Sequence, residues 1–284
     1  MCSSIYHFFA KLVELKLNLN DNANLEAFPF PNEMLSSELK GKFPDLALKI
    51  NTTSGLFTGG ELIELKDSKN NSISSFNSTI PSGRKEIESL IVGNTNKLKK
   101  NMENAGDDIL SLPVREVYYL VRVKKDAGAR SEAALKVSLV HGKFFETLSE
   151  DKLISGAFSQ MFDERMPNLN DEEKALRDKM IASFNDHQTF AQTRHVDRAS
   201  ISLRFRIMTQ ANQDGNIFNY DEISNNTFSF LEPYTDDESR AKIILKMKTA
   251  FSELDQDDVY DSLKQFKVKH HLNGPFWAFS TELV

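Results

Sequence analysis

The chain has 284 residues, 40% hydrophobic and 27% charged, with 12 Gly and 8 Pro, a composition that excludes disorder, collagen and coiled coil. Its single cysteine, Cys2, excludes an internal disulfide framework and a cysteine-based zinc site, and suits a reducing compartment. The net charge of −6 argues against passive polyanion binding by the chain as a whole.

The charge is unevenly spread. Residues 84–145 carry 12 basic and 8 acidic side chains, and residues 194–210 carry four basic and one acidic. The remainder is strongly acidic, which permits one electropositive surface on an acidic protein. No run approaches the roughly 20 uncharged apolar residues of a membrane helix. The opening segment is interrupted by Lys11, Glu14 and Lys16 and lacks the basic leader and small-residue cleavage site of a signal peptide. A cytoplasmic protein without a membrane segment is expected.

In chain order, an amphipathic helix is predicted over 4–17, a loop through Phe28-Pro29-Phe30-Pro31, and a short helix over 33–40. Two strands follow, 46–51 and 61–66, joined by the Thr/Ser/Gly-rich stretch 52–60 as a β-hairpin. The polar run 68–83 shows no apolar period and reads as a long loop. A helix is predicted over 84–104, then strands over 114–123 and 135–145, rich in Val, Tyr and Phe. Helices near 150–165 and 171–184 follow, the second capped by Asn170 or Asp171. Residues 198–208 alternate Ser202, Arg204 and Arg206 against Leu203, Phe205 and Ile207, a strand with one basic face. The end reads as two acidic helices, 237–252 and 256–268, and a strand over 276–284. With no repeat and no visible linker, the fold class expected is α/β (α+β): one domain over 1–284, a mixed β-sheet flanked by helices.

Several catalytic signatures are missing: G-x-S-x-G, the P-loop, G-x-G-x-x-G and H-E-x-x-H. Asp255, Asp257 and Asp258 lack the glycine and spacing of a calcium loop and read as solvated helix charges. His270 and His271 are adjacent, so their side chains point different ways and do not ligate one metal together.

One constellation remains: Pro44-Asp45, eighteen intervening residues, then Glu64-Leu65-Lys66. On a strand Glu64 and Lys66 share a face, while Ile63 and Leu65 turn to the core behind. If the hairpin is centred near Ser54-Gly55, Asp45 falls opposite Glu64, within about 4.5–5.5 Å between Cβ atoms. Two carboxylates that close repel, and a bound divalent cation is the usual remedy. The alternative is an ordinary exposed cross-strand charge pair.

Asp45 after Pro44 and the triplet Glu64-Leu65-Lys66 resemble the PD-(D/E)xK signature of metal-dependent nucleases, a superfamily that includes most type II restriction endonucleases. The resemblance covers about 22 residues. It implies an αβββαβ core, here about 33–145, with helical elaborations over about 146–284. It also implies Mg²⁺ held by Asp45, Glu64 and the Leu65 carbonyl, with Lys66 orienting or deprotonating the attacking water. An additional acidic residue on the helix before the Asp strand is implied at Glu38, or alternatively Glu33, each of which also reads as a solvated helix charge. The function expected is a Mg²⁺-dependent, sequence-specific double-stranded DNA endonuclease, a type II restriction enzyme acting as a homodimer. DNA contacts are assigned to Lys69, Asn70, Asn71, Asn77 and Arg84 in the polar loop and beside it, and to Arg204 and Arg206 on the basic strand. The competing readings are a non-catalytic DNA- or protein-binding α/β protein, and a nuclease acting on RNA or branched DNA.

Overall fold

A computed structural model of the chain describes residues 4–15, 35–37, 43–50, 59–68, 73, 76, 81–92, 97–125, 134–148, 150–185, 211, 215–252 and 259–283. They fall into two compact units. The larger takes residues 1–76, 81–146 and 210–284, and the smaller takes 77–80 and 147–209.

The larger unit opens with helix α1 (Ser4–Leu15) and strands β1 (Leu35–Ser37), β2 (Leu46–Leu48), β3 (Leu62–Ser68) and β4 (Arg84–Glu86). Short α2 (Ile87–Leu90) and α3 (Lys97–Asn104) lead to the long strands β5 (Val114–Lys125) and β6 (Ala134–His141). Helices α4 (Glu150–Arg165) and α5 (Asp171–Asn185) belong to the smaller unit. The chain then returns to the larger unit with β7 (Thr227–Pro233), α6 (Asp237–Ser252), β8 (Lys264–His270) and β9 (Gly274–Glu282).

The fold is mixed α/β of the α+β kind. Eight strands form one sheet in the order β1-β2-β3-β5-β6-β7-β9-β8, and β4 pairs with the start of β5. The pairs β3/β5 and β6/β7 are parallel and the rest antiparallel. Parallel neighbours need a crossover; α2 and α3 lie in the first.

The sheet is covered on both faces. Ile5, Phe8, Phe9, Leu12 and Val13 recur at helical spacing along α1, and Ile243, Met247, Ala250 and Phe251 along α6, and all are buried against Tyr118, Leu139, Phe228 and Phe230. On the other face Leu98 and Met102 of α3, with Phe76, Phe144 and Phe145, cover Val117, Tyr119, Val121 and Leu231. Each such side chain contributes about 1.5–3 kcal/mol of burial. Strands buried on both faces read as near-continuous apolar runs, hence the Val-Tyr-Tyr-Leu-Val composition of β5.

The described residues of the smaller unit form a helix pair. Asn170 and Glu173 satisfy each other's backbone N–H groups, at 3.0 Å to Asn170 Oδ1 and 2.8 Å to Glu173 Oε2, a capping box that starts α5. Arg177 of α5 donates to Asp163 of α4 at 2.7 Å.

Four expectations are corrected. Within the short helix expected over 33–40, residues Leu35–Ser37 form β1, because pairing with Leu48, Ala47 and Leu46 satisfies their backbone in the sheet. The helix expected over 84–104 begins as β4 and resumes as α2 and α3, since Arg84, Lys85 and Glu86 pair with Glu116, Arg115 and Val114. The strand expected to run through 145 ends at His141, and Gly142–Phe145 forms a 3₁₀ turn. The second acidic helix, 256–268, is replaced over its C-terminal part by β8, whose Phe266, Val268 and His270 alternate with lysines along the sheet edge. The C-terminal third is thus not only helical: β7, β9 and β8 extend the same sheet.

Candidate active site

The hairpin pairs as the sequence arithmetic expects. Leu46 faces Ile63 and Ala47 faces Leu62. One further step along the same register sets Asp45 opposite Glu64. The Leu65 backbone N–H donates to Asp45 Oδ2 at 2.8 Å, which fixes the Asp45 carboxylate against β3. On that strand Lys66 Nζ donates to Glu64 Oε1 at 2.6 Å. Asp45, Glu64 and Lys66 are therefore brought together by the antiparallel pairing of β2 with β3.

The neighbouring strand supplies the walls. Glu64 lies beside Tyr119 in the parallel β3/β5 ladder, so the pair emerges on the sheet face that α3 covers. Phe76 stands edge-on to Tyr119, ring centroids 5.5 Å apart, and lies under the Lys66 ammonium at 5.8 Å. The Lys66 and Glu64 side chains are only 9% and 8% exposed.

This enclosure sets the electrostatics. Burial pushes the Glu64 carboxyl up, Lys66 offsets part of that, and the Asp45 carboxylate raises it again, leaving it at about 7 against an ordinary 4.5. Its second oxygen, Oε2, is buried and takes no hydrogen bond. The Tyr119 phenol is also pushed up, first by burial and then by Glu64. An unpartnered carboxylate oxygen beside a second carboxylate is a hard, anionic donor set, which fits Mg²⁺. No group of three or more His, Cys, Asp or Glu side chains that could hold a metal occurs among the described residues. The donor set is thus two carboxylates, the number Mg²⁺ commonly takes from protein when carbonyl oxygen, water and substrate phosphate complete its shell.

A buried ion pair anchors the base of the hairpin. Arg115, at the start of β5, grips Asp107 with two N–H···O bonds of 2.9 and 3.1 Å, both side chains fully buried. The same guanidinium reaches the Gly60 and Ile109 carbonyls at 3.4 and 3.3 Å, and Asp107 accepts from the Ile50 N–H at 3.4 Å. Both arms of the hairpin are thereby tied to β5. Gly60 has φ +58°, and a Cβ there would lie 2.8 Å from the Ile50 side chain and 3.2 Å from the Arg115 guanidinium.

Of the other candidate residues, Arg84 is exposed and is held by Glu116, at 2.9 Å from Nε and 2.8 Å from Nη2. It sits away from the Glu64 pair, in a cleft on the opposite sheet face. Glu33, Glu38, Lys69, Asn70, Asn71, Asn77, Arg204 and Arg206 lie outside the described residues, as does the basic strand 198–208. Within the polar run 68–83, Ile73 and Phe76 are buried, so this stretch contributes to the core. His270, the last residue of β8, is buried and His271, in the turn that follows, is exposed; His270 Nδ1 accepts from the Leu272 and Asn273 N–H groups of that turn. Phe76 and Tyr119 were missed as site residues; the apolar run of β5 marks Tyr119 as a buried strand residue, whereas Phe76 has no such signal in its polar surroundings.

No helix among the described residues is long and apolar enough to cross a membrane. No family model, no curated protein and no solved structure matches the chain.

Proposed function

We propose that the chain is a Mg²⁺-dependent endonuclease of the PD-(D/E)xK type, cutting double-stranded DNA in the manner of a type II restriction enzyme, as a homodimer in the cytoplasm. The observation that carries the reading is the placement of Asp45 against Glu64 and Leu65, with Lys66 bonded to Glu64. Among the described residues the elements around it run α1, β1, β2, β3, α3, β5, an αβββαβ order as in that superfamily, with β4 and α2 inserted before α3 and with α1, outside the expected core of 33–145, in the place of the helix expected over 33–40.

Asp45, Glu64 and the Leu65 carbonyl would hold the cation. Bound there, Mg²⁺ supplies Lewis-acid polarisation of a phosphate oxygen and lowers the pKa of a water. The remaining work falls to the chain. The Leu65 N–H keeps Asp45 aimed across the hairpin, and the walls of Phe76 and Tyr119 exclude bulk water, so charges at the site are weakly screened. Lys66, once its hold on Glu64 is shared, presents an ammonium that orients a water for in-line attack on phosphorus and takes part in its proton transfer.

The test is cleavage of duplex DNA with Mg²⁺. Asp45→Ala, Glu64→Ala and Lys66→Ala should each abolish most cleavage and keep the fold, while Ca²⁺ supports DNA binding without turnover. Near wild-type cutting by any two variants overturns the assignment. The closed Glu64–Lys66 pair is what a non-catalytic binding protein would also show; that reading requires DNA binding and no cleavage with any divalent cation. Single-stranded, branched and RNA substrates in the same assay separate the remaining nuclease classes.

A further inference from the structure

The Glu64–Lys66 pair is shut off from solvent. The two side chains are 8% and 9% exposed, and Glu64 Oε2 shows less than 1 Å² of surface to water although it takes no hydrogen bond. A phosphodiester is bulkier than water, so its oxygens cannot approach the pair to the roughly 3 Å of a polar contact while the walls stand as they do.

The described walls differ in how firmly they are held. Tyr119 belongs to β5, which is paired with β3 on one side and β6 on the other. Phe145 closes the 3₁₀ turn after β6, where Asn273 Nδ2 donates to the Phe144 and Glu146 carbonyls at 3.0 and 2.9 Å. Phe76 lies in neither helix nor strand, yet it is 2% exposed. Its ring sits in a socket made by the other two, centroids 5.5 Å from Tyr119 and 5.3 Å from Phe145, and carries the Lys66 ammonium over its face at 5.8 Å. Two terms oppose each other here. Burying the ring is favourable, whereas sealing a carboxylate and an ammonium beside it removes their hydration. Such a balance suits a side chain with an inserted and a withdrawn position.

We propose that Phe76 is a plug: the structure shows the site closed, and a substrate phosphate reaches Asp45, Glu64 and Lys66 only after the Phe76 ring has left the Tyr119–Phe145 socket. The substrate named here rests on the nuclease reading, whereas the closure itself does not. The use of such a plug is selection. Lys69, Asn70, Asn71 and Asn77, assigned to DNA from the sequence, lie within seven residues of Phe76 along the chain. Contacts that this run makes with the right DNA can drive the ring out, and DNA that fails to make them meets a closed site.

Brief acetylation of the whole protein with acetic anhydride in EDTA, read by peptide mass spectrometry, tests the closure without DNA. The exposed Lys179 is the fast internal standard, and Lys49, 7% exposed and bonded to the Ala105 carbonyl at 2.8 Å, is the slow one. With the open state populated to no more than about 10%, wild-type Lys66 should react at least about tenfold more slowly than Lys179. Phe76→Ala should release Lys66 to near the Lys179 rate, while Phe76→Leu, which keeps an apolar plug, should leave it protected. Lys49 must stay slow throughout, so that release is local; if Phe76→Ala frees Lys49 as well, Phe76→Val takes its place. On plasmid DNA with Mg²⁺, the released variant should cut sites that the wild type cuts poorly, and unchanged discrimination would overturn the selective use. If no form cuts any DNA while Lys66 labels as expected, the nuclease reading fails and the plug stands. The plug is overturned if wild-type Lys66 reacts as fast as Lys179, or if it stays as slow in the Ala and Val variants as in the wild type.

Discussion

At the scale of single residues, Glu64 links stability to pH. Its carboxyl titrates at about 7 in the folded chain against 4.5 ordinarily, so the folded state holds the proton more tightly. Stability is therefore fully present below pH 4.5 and lost as pH rises through about 7, by on the order of 3 kcal/mol. Urea unfolding in EDTA should show this fall between pH 5 and 8, and Glu64→Gln should flatten it. Ca²⁺ competes with the same proton, so it should raise Tm more at pH 8 than at pH 5.5; equal shifts at both pH values would count against metal binding at Glu64. The Arg115–Asp107 pair obeys a different rule. Removing one partner strands a buried charge, and Asp107→Ala should destabilise by about 3–5 kcal/mol, whereas a paired apolar replacement of both should recover much of the loss. Denaturant midpoints of the single and double variants decide this.

At the scale of elements, the hairpin that carries Asp45 and Glu64 depends on its entry into β3. A side chain at Gly60 must accept a positive φ and a 2.8 Å approach to Ile50, so Gly60→Ala should lower stability by at least about 1 kcal/mol. It should also loosen Asp45 from the Leu65 N–H, visible as faster amide exchange at Leu65. In the smaller unit the capping box makes a local contribution. Asn170→Ala should cost about 1 kcal/mol, and hydrogen exchange should quicken at Glu173, whose N–H the Asn170 side chain accepts. No change there would remove the box from the account of how α5 starts.

At the scale of the whole molecule, the sheet explains why the candidate residues sit where they do. β3 is an interior strand between β2 and β5, so Glu64 is buried by its neighbours rather than exposed at an edge. The edge on the far side is β8, whose Lys264, Lys267 and Lys269 blunt it against pairing with another chain.

The parts legible in the sequence were those governed by local periodicity and spacing. The helix over 4–15 follows from apolar residues three and four apart, the start of the helix at 171 from its cap and acidic first turn, β5 and β6 from their Val, Tyr and Phe content, and the Asp45–Glu64 register from the length of the hairpin alone. Where pairing partners are remote, the same reading failed: β1, β4 and β8 are short or charged segments whose strand state comes from a neighbouring backbone rather than from their own propensity. Tertiary structure alone placed Phe76 under Lys66, joined Tyr6 and Glu232 across 226 positions, and buried Arg115 against Asp107. The reason is that an alternating or helical pattern reports which face of an element is apolar, but not which distant element covers it.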